Sequence, residues 1–314
     1  MTIEQRLLGR TGAEVSVLGY GAMELRGSPV GPAIDDEEAG RLLNEVLDSG
    51  INLIDTSIDY GRSEELIGRF LSGRRDDYFL ASKCGCIAGD VPPPPPAAPG
   101  ERRRNPHDFR PQNVRAGVEQ SLRRLKTDHL DLVQVHVSPS RAQLEEDQTI
   151  ETMTALRDEG KVRFLGMSGT LPNLPDHIAM DVFDVFQIPY SVVQREHEDL
   201  ITDAVNAGAG TLIRGGAARG APAEDKDWSR GPIGLREGEG ERRWTDSEID
   251  DLLDGMSRIE FVLRFTITHP GLSSTIVGTS SLDHLRSNVA IAEKGPLPDD
   301  LYAEAKKRFP LAEA

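Results

Sequence analysis

Apolar residues gather along this chain into eight short runs, separated by stretches in which hydrophobic positions recur every three or four residues. The runs are Val15–Tyr20, Ile51–Asp55, Tyr78–Lys83, Leu130–His136, Val162–Met167, Val182–Gln187, Gly210–Arg214 and Ser274–Val277. Their length and aliphatic content read as buried strands. The intervening stretches read as amphipathic helices. In Glu37–Gly50, Leu42, Leu43, Val46 and Leu47 share one face and Gly50 is placed to cap the end; in Pro111–Lys126, Val114, Val118, Leu122 and Leu125 do the same. Parallel strands need a crossover, so strand alternating with helix predicts an α/β fold with a parallel sheet. Eight such units in 314 residues fit a single-domain (β/α)8 barrel, the TIM barrel, better than an open doubly wound sheet. The glycines of LGYGAM are spaced wrongly for a Rossmann turn, and no GxGxxG follows an early strand.

Two segments interrupt the alternation. Residues 87–110 carry five consecutive prolines, Pro92–Pro96, and then Arg102, Arg103 and Arg104, which reads as a stiff insertion in the loop after the third strand. A solvated insertion is the plain reading; a lid over the barrel mouth is the functional one. Residues 215–243 form a long polar loop with Trp228 inside it and Trp244 just beyond.

Composition narrows the partners. A hydrophobic content of 38% and a mean hydropathy of −0.40 suit a soluble chain with a large core. No apolar run approaches the roughly 18 residues needed to span a bilayer, and the opening MTIEQRLLGR lacks a secretory layout, so a cytoplasmic location without membrane contact is expected. The net charge of −16 repels a polyphosphate backbone, and no basic stripe offsets it, so nucleic acid is not an expected partner. Cys84 and Cys86 are too close for a framework disulfide and too few for a four-ligand zinc site. They read as reduced thiols or a redox sensor, and no metal is expected.

In a barrel the C-terminal strand ends meet at one mouth, so polar residues that end different runs converge there. The second run ends in Asp55, the third in Lys83 and the fourth in His136, with Tyr60 a short turn after Asp55. Each alone has a bland reading: a turn cap, a snorkelling lysine, a satisfied core histidine, a packing tyrosine. Together they suggest a site.

These residues, in the contexts DTSIDYGRSEELIG, LASKCG and DHLDLVQVH, resemble the aldo-keto reductases, and the resemblance runs from LLGRTGAEVSVLGYGAM to IVGTSSLDHLRSNVA. It implies a barrel that reduces a small-molecule aldehyde or ketone with a nicotinamide cofactor. Such a reaction needs a hydride at carbon and a proton at oxygen. Lys83 would stabilise the Tyr60 phenolate and so make Tyr60 the acid, Asp55 would hold Lys83, and His136 would orient the carbonyl. The resemblance also implies cofactor contacts from Gly21, Ala22, Met23 and Asp55 at one end. Ser168 and Gln187 fall at the carboxamide positions, with Gly169 where the family commonly has asparagine. Arg214 and Gly215 stand where many members have a stacking aromatic.

At the last strand, Gly278, Thr279, Ser280, His284, Arg286 and Asn288 match the segment that holds the adenine end. The helix there is expected to open at Ser280 or Ser281, with its free amides offered to a phosphate. Gly278 and His284 stand where the family commonly has lysine and arginine, so Arg286 is expected to reach inward in their place. NADPH is favoured over NADH. The alternatives are a redox-neutral isomerase or epimerase with tightly held NADP, and a cofactor-binding sensor. Oligomeric state is left open.

Overall fold

The computed structural model describes residues 2–28, 31, 33–89, 106–223, 228 and 235–310. It begins with an antiparallel hairpin, β1 (Gln5–Leu7) and β2 (Glu14–Ser16). Eight parallel strands follow: β3 (Leu18–Gly21), β4 (Leu53–Asp55), β5 (Phe79–Cys84), β6 (Leu130–Val135), β7 (Val162–Ser168), β8 (Val185–Pro189), β9 (Gly210–Arg214) and β10 (Ser274–Val277). They close into a barrel, because β10 pairs with β3 through Thr275 to Leu18, Ile276 to Gly19 and Val277 to Tyr20. The expected (β/α)8 architecture is therefore the observed one.

The helices are α1 (Asp36–Asp48), α2 (Ser63–Phe70), α3 (Pro111–Leu125), α4 (Arg141–Glu146), α5 (Thr149–Asp158), α6 (Leu174–Ala179), α7 (Glu198–Asn206), α8 (Glu239–Asp246), α9 (Arg258–Thr268), α10 (Leu282–Glu293) and α11 (Asp299–Arg308). α1 shows why the pattern was readable. Asp35 caps it by accepting from the Glu38 amide, Leu42, Leu43, Val46 and Leu47 are buried, and Gly50 follows its end at a positive φ of 89°.

Two runs differ from expectation. Val15–Tyr20 is two strands, since the chain turns at Val17 from the hairpin into the barrel. In the sixth run Phe183 packs outside the barrel against Phe186, with ring centroids 5.8 Å apart. The Asp184 side chain accepts from the Leu165 amide, so β8 starts only at Val185.

Side-chain alternation divides the core in two. Ile54, Leu80 and Val133 face the helices, whereas Leu53, Ala81, Leu132, Val185, Leu212 and Ile276 fill the barrel. Leu8 and Val15 of the hairpin complete that inner cluster from below. The hairpin turn lies directly on β9: Gly9, at φ 51°, would bring a Cβ within 2.1 Å of the Gly210 nitrogen. The N-terminal end of the barrel is thus plugged.

Of the proline-rich insertion, residues 90–105 lie outside the described residues; its two stems meet in a bridge between Cys86 and His107. The polar segment is not a loop throughout. It carries a short turn at Ala218–Gly220, and α8 begins at Glu239. Trp228 packs on Trp244, whose indole nitrogen donates to Asp250. Among the described residues no helix is long and apolar enough to cross a membrane.

Candidate active site

The period of two that fills the barrel also builds its mouth. Two residues beyond Leu53, Ala81, Leu132, Val185 and Leu212 come Asp55, Lys83, Gln134, Gln187 and Arg214, on the inner face one layer higher. The apolar layer ends where the chain needs polar groups, and five of the eight strands contribute one.

Lys83 is the centre of this layer. Its ammonium donates to Asp55 Oδ1 at 2.6 Å and to the Thr56 carbonyl at 2.8 Å, and it sits 5.1 Å from the centroid of the Tyr60 ring. Asp55 Oδ2 accepts from Gln134 Nε2 at 2.8 Å and Gln187 Nε2 at 2.9 Å, so both carboxylate oxygens are used. Gln134 was not among the residues singled out in the sequence. A buried ion pair is tolerable only when its remaining hydrogen-bonding capacity is filled, and these amides fill much of it.

Tyr60 is held by a tight turn: its amide donates to the Ser57 carbonyl, and the Ser63 amide donates back to the Tyr60 carbonyl. Gly61 takes φ 48°, and a Cβ there would lie 2.4 Å from the Arg26 carbonyl oxygen. His136 follows β6 with its ring edge-on to Tyr60, centroids 6.4 Å apart. Its Nδ1 lies 3.0 Å from Cys86 Sγ. Thus Asp55, Tyr60, Lys83 and His136 do come together.

The electrostatics correct one expectation. Desolvation pushes the Tyr60 phenol up to about 12, against the pull of Lys83 and with Asp55, Asp59 and Cys86 adding to the rise. Lys83 therefore limits the rise rather than making the phenol acidic outright. Burial alone would push Lys83 down, but Asp55 and Tyr60 more than offset it and the net direction is up. Burial drives His136 down to about 3, opposed by Asp59 and assisted by Lys83, His107 and Arg214, so its ring is neutral at ordinary pH. Burial also raises the Cys86 thiol well above its usual range. A neutral thiol facing Nδ1 can donate to it, which leaves the ring proton on Nε2.

A cleft of about 550 Å³ opens from Asp55 and Tyr60. Gly21, Met23, Gln187, Arg214 and Gly215 line its inner part, and Gly278, Thr279, Ser280, His284 and Asn288 its far end. Ala22 is fully buried behind it. Ser168 lies beneath it and donates to Gln187 Oε1 at 3.3 Å. A Cβ at Gly169 would meet Leu174 Cδ1 at 2.6 Å, so a side chain there requires Leu174 to move. α10 opens with Ser281 as its cap, as expected. Arg286 is the exception. It turns away from the cleft and donates to Glu45 of α1 at 2.9 Å, with 60% of its side chain exposed.

The cleft fits a dinucleotide. Its walls include close-set backbone, where a Cβ at Gly278 would sit 2.6 Å from the Gly21 carbonyl oxygen. Buried Arg214 Nε, which lines it, lacks a hydrogen-bond partner among the described residues.

A plugged parallel barrel carries a buried ammonium, a phenol and a neutral imidazole together at its open end. The chain belongs to the aldo/keto reductase family, whose model matches residues 17–308, and is an oxidoreductase of that family, which uses nicotinamide cofactors and carbonyl substrates. It is 26% identical over 308 residues to an uncharacterised oxidoreductase, YqkF, of Bacillus subtilis, covering 95% of this chain and 94% of that protein. It is 29% identical over 303 residues to the L-galactose dehydrogenase of Arabidopsis thaliana, covering 92% and 88%. The holo form of a solved aldo-keto reductase from Bacillus halodurans superposes with a TM-score of 0.82 at 27% identity, over 99% of this chain and 98% of that one.

Proposed function

We propose that the protein reduces an aldehyde or ketone to an alcohol, with Tyr60 as the proton donor. The observation that carries this reading is the phenol beside the Lys83–Asp55 ion pair, on a cleft of about 550 Å³ that both Asp55 and Tyr60 line. When bound, the reduced nicotinamide supplies the hydride. A phenol near 12 stays protonated at neutral pH, and it is a stronger acid than the alcohol that a developing alkoxide becomes, so Tyr60 can complete the reduction by giving up its proton. Lys83 stabilises the phenolate left behind, and Asp55, fixed by Gln134 and Gln187, keeps Lys83 in place. Neutral His136, with its proton on Nε2, donates to the carbonyl oxygen and orients it.

Gln187 and Ser168 support the carboxamide end, and Arg214 Nε, without a partner among the described residues, serves the ring or pyrophosphate. NADPH remains the proposed cofactor, on the free amides opening α10 together with Ser280 and His284. Arg286 has no part in that reading. Asp283 in the same helical turn opposes a phosphate, so the preference over NADH is expected to be small. Turnover of a panel of aldehydes, ketones, quinones and sugars, followed by loss of reduced-cofactor absorbance with NADPH and with NADH, tests both proposals. No consumption with any carbonyl would overturn the first; a ratio of kcat/KM favouring NADH would overturn the second.

A further inference from the structure

Behind Tyr60 at the barrel mouth, three side chains with metal-binding atoms face one another. Cys86 Sγ lies 3.0 Å from His136 Nδ1 and 3.7 Å from His107 Nε2, and all three atoms fall within 4.8 Å of one another. We propose that Cys86, His107 and His136 form a binding site for a borderline-soft divalent cation of the zinc class.

Zinc bonds of about 2.3 Å to sulfur and about 2.0–2.1 Å to nitrogen, at tetrahedral angles, put sulfur and nitrogen roughly 3.5 Å apart. The two observed sulfur–nitrogen separations bracket that value, and the two ring nitrogens lie within 4.8 Å of one another. The imidazoles are not stacked; their planes cross at 72° with centroids 5.3 Å apart, an arrangement that lets two ring nitrogens aim at one point. A thiolate with two imidazoles selects zinc or cobalt over magnesium or calcium, which demand oxygen.

The backbone already holds the ligands in place. Cys86 and His107 face each other across the bridge that joins the stems of the insertion. Asn113 donates to the Cys86 carbonyl at 3.0 Å, the Asp108 amide donates to Gly85, and the His136 amide donates to Cys84. Asp59 Oδ1, 4.0 Å from His136 Nδ1 and bonded by Ser57, offers a fourth ligand that would bring the site to neutrality. On binding, the Cys86 S–H bond breaks, its proton goes to solvent and a sulfur–metal bond forms. The expectation of no metal rested on two cysteines being too few for a four-ligand zinc site; the proposal adds His107, 21 residues from Cys86 in sequence, and His136.

Cobalt(II) titration of the full chain without cofactor tests the site. One equivalent is expected to bind with a thiolate-to-cobalt charge-transfer band in the near ultraviolet, and zinc is expected to displace it. Cys86→Ser should abolish the band, and His107→Ala should weaken binding by at least about tenfold. His107 lies on a partly exposed stem, so its variant carries the test even if the Cys86 variant does not fold. Absence of saturable binding, a band that survives in Cys86→Ser, or unchanged affinity in His107→Ala would each overturn the site.

Discussion

Tyr60 and Lys83 act on one another in opposite senses, and the balance between burial and charge sets what each can do. Tyr60→Phe is expected to lower kcat by about 10²–10⁴ while leaving cofactor affinity nearly intact, since only the proton donor is lost. Single-turnover hydride transfer within a few-fold of the native rate would return Tyr60 to a packing role. In the reverse reaction the phenolate must accept a proton. With Tyr60 pushed up to about 12, alcohol oxidation should still be climbing at pH 10. Lys83→Met removes the group that holds the phenol down, so that rise should move further to the alkaline side; an unmoved profile would refute the coupling. Arg286→Ala should change the NADPH-to-NADH ratio by less than about threefold, because Glu45 already holds the guanidinium outside the cleft.

At the scale of elements, the turn between β4 and α2 decides whether Tyr60 arrives at the right place. Gly61→Ala must adopt φ 48° with its Cβ on the Arg26 carbonyl. A loss of about 1–3 kcal/mol by urea unfolding is expected, with kcat reduced further by a misplaced phenol. Unchanged stability would show that the turn relaxes freely. The strands were legible because their interiors are aliphatic and their helices amphipathic; Asp55, Lys83 and His136 stood out as polar ends. Gln134 did not, since a glutamine two residues before the end of an otherwise apolar run carries no local signal until Asp55 faces it. The hairpin was hidden because three-residue strands have too few positions to show alternation. Arg286 was misjudged because successive helical residues diverge by about 100°, so Ser287 and Asn288 face the cleft while Arg286 faces α1. The approach of His107 to Cys86 depends on how an insertion returns, which no local pattern encodes.

For the whole molecule, buried histidines set the response to acid. Burial lowers His136 to about 3 and both His197 and His269 to about 4, whereas the unfolded chain binds these protons near 6.5. Below about pH 6.5 the unfolded state therefore holds more protons. Stability, complete above that value, should fall on acidification towards pH 4, by at most about 1.4 kcal/mol per pH unit for each ring. Buried Glu64, raised by desolvation, acts in the opposite sense. The urea midpoint should be lower at pH 5 than at pH 7; an equal or higher midpoint would mean that Glu64 and relief of the negative net charge prevail. The hairpin beneath the barrel has a practical corollary for anyone handling the protein. With Leu8 and Val15 sealing one end and the chemistry at the other, exposed Glu14 of that hairpin, beside Val15, belongs to the sealed end. A support or fluorophore attached there should leave the door to the solution side unobstructed.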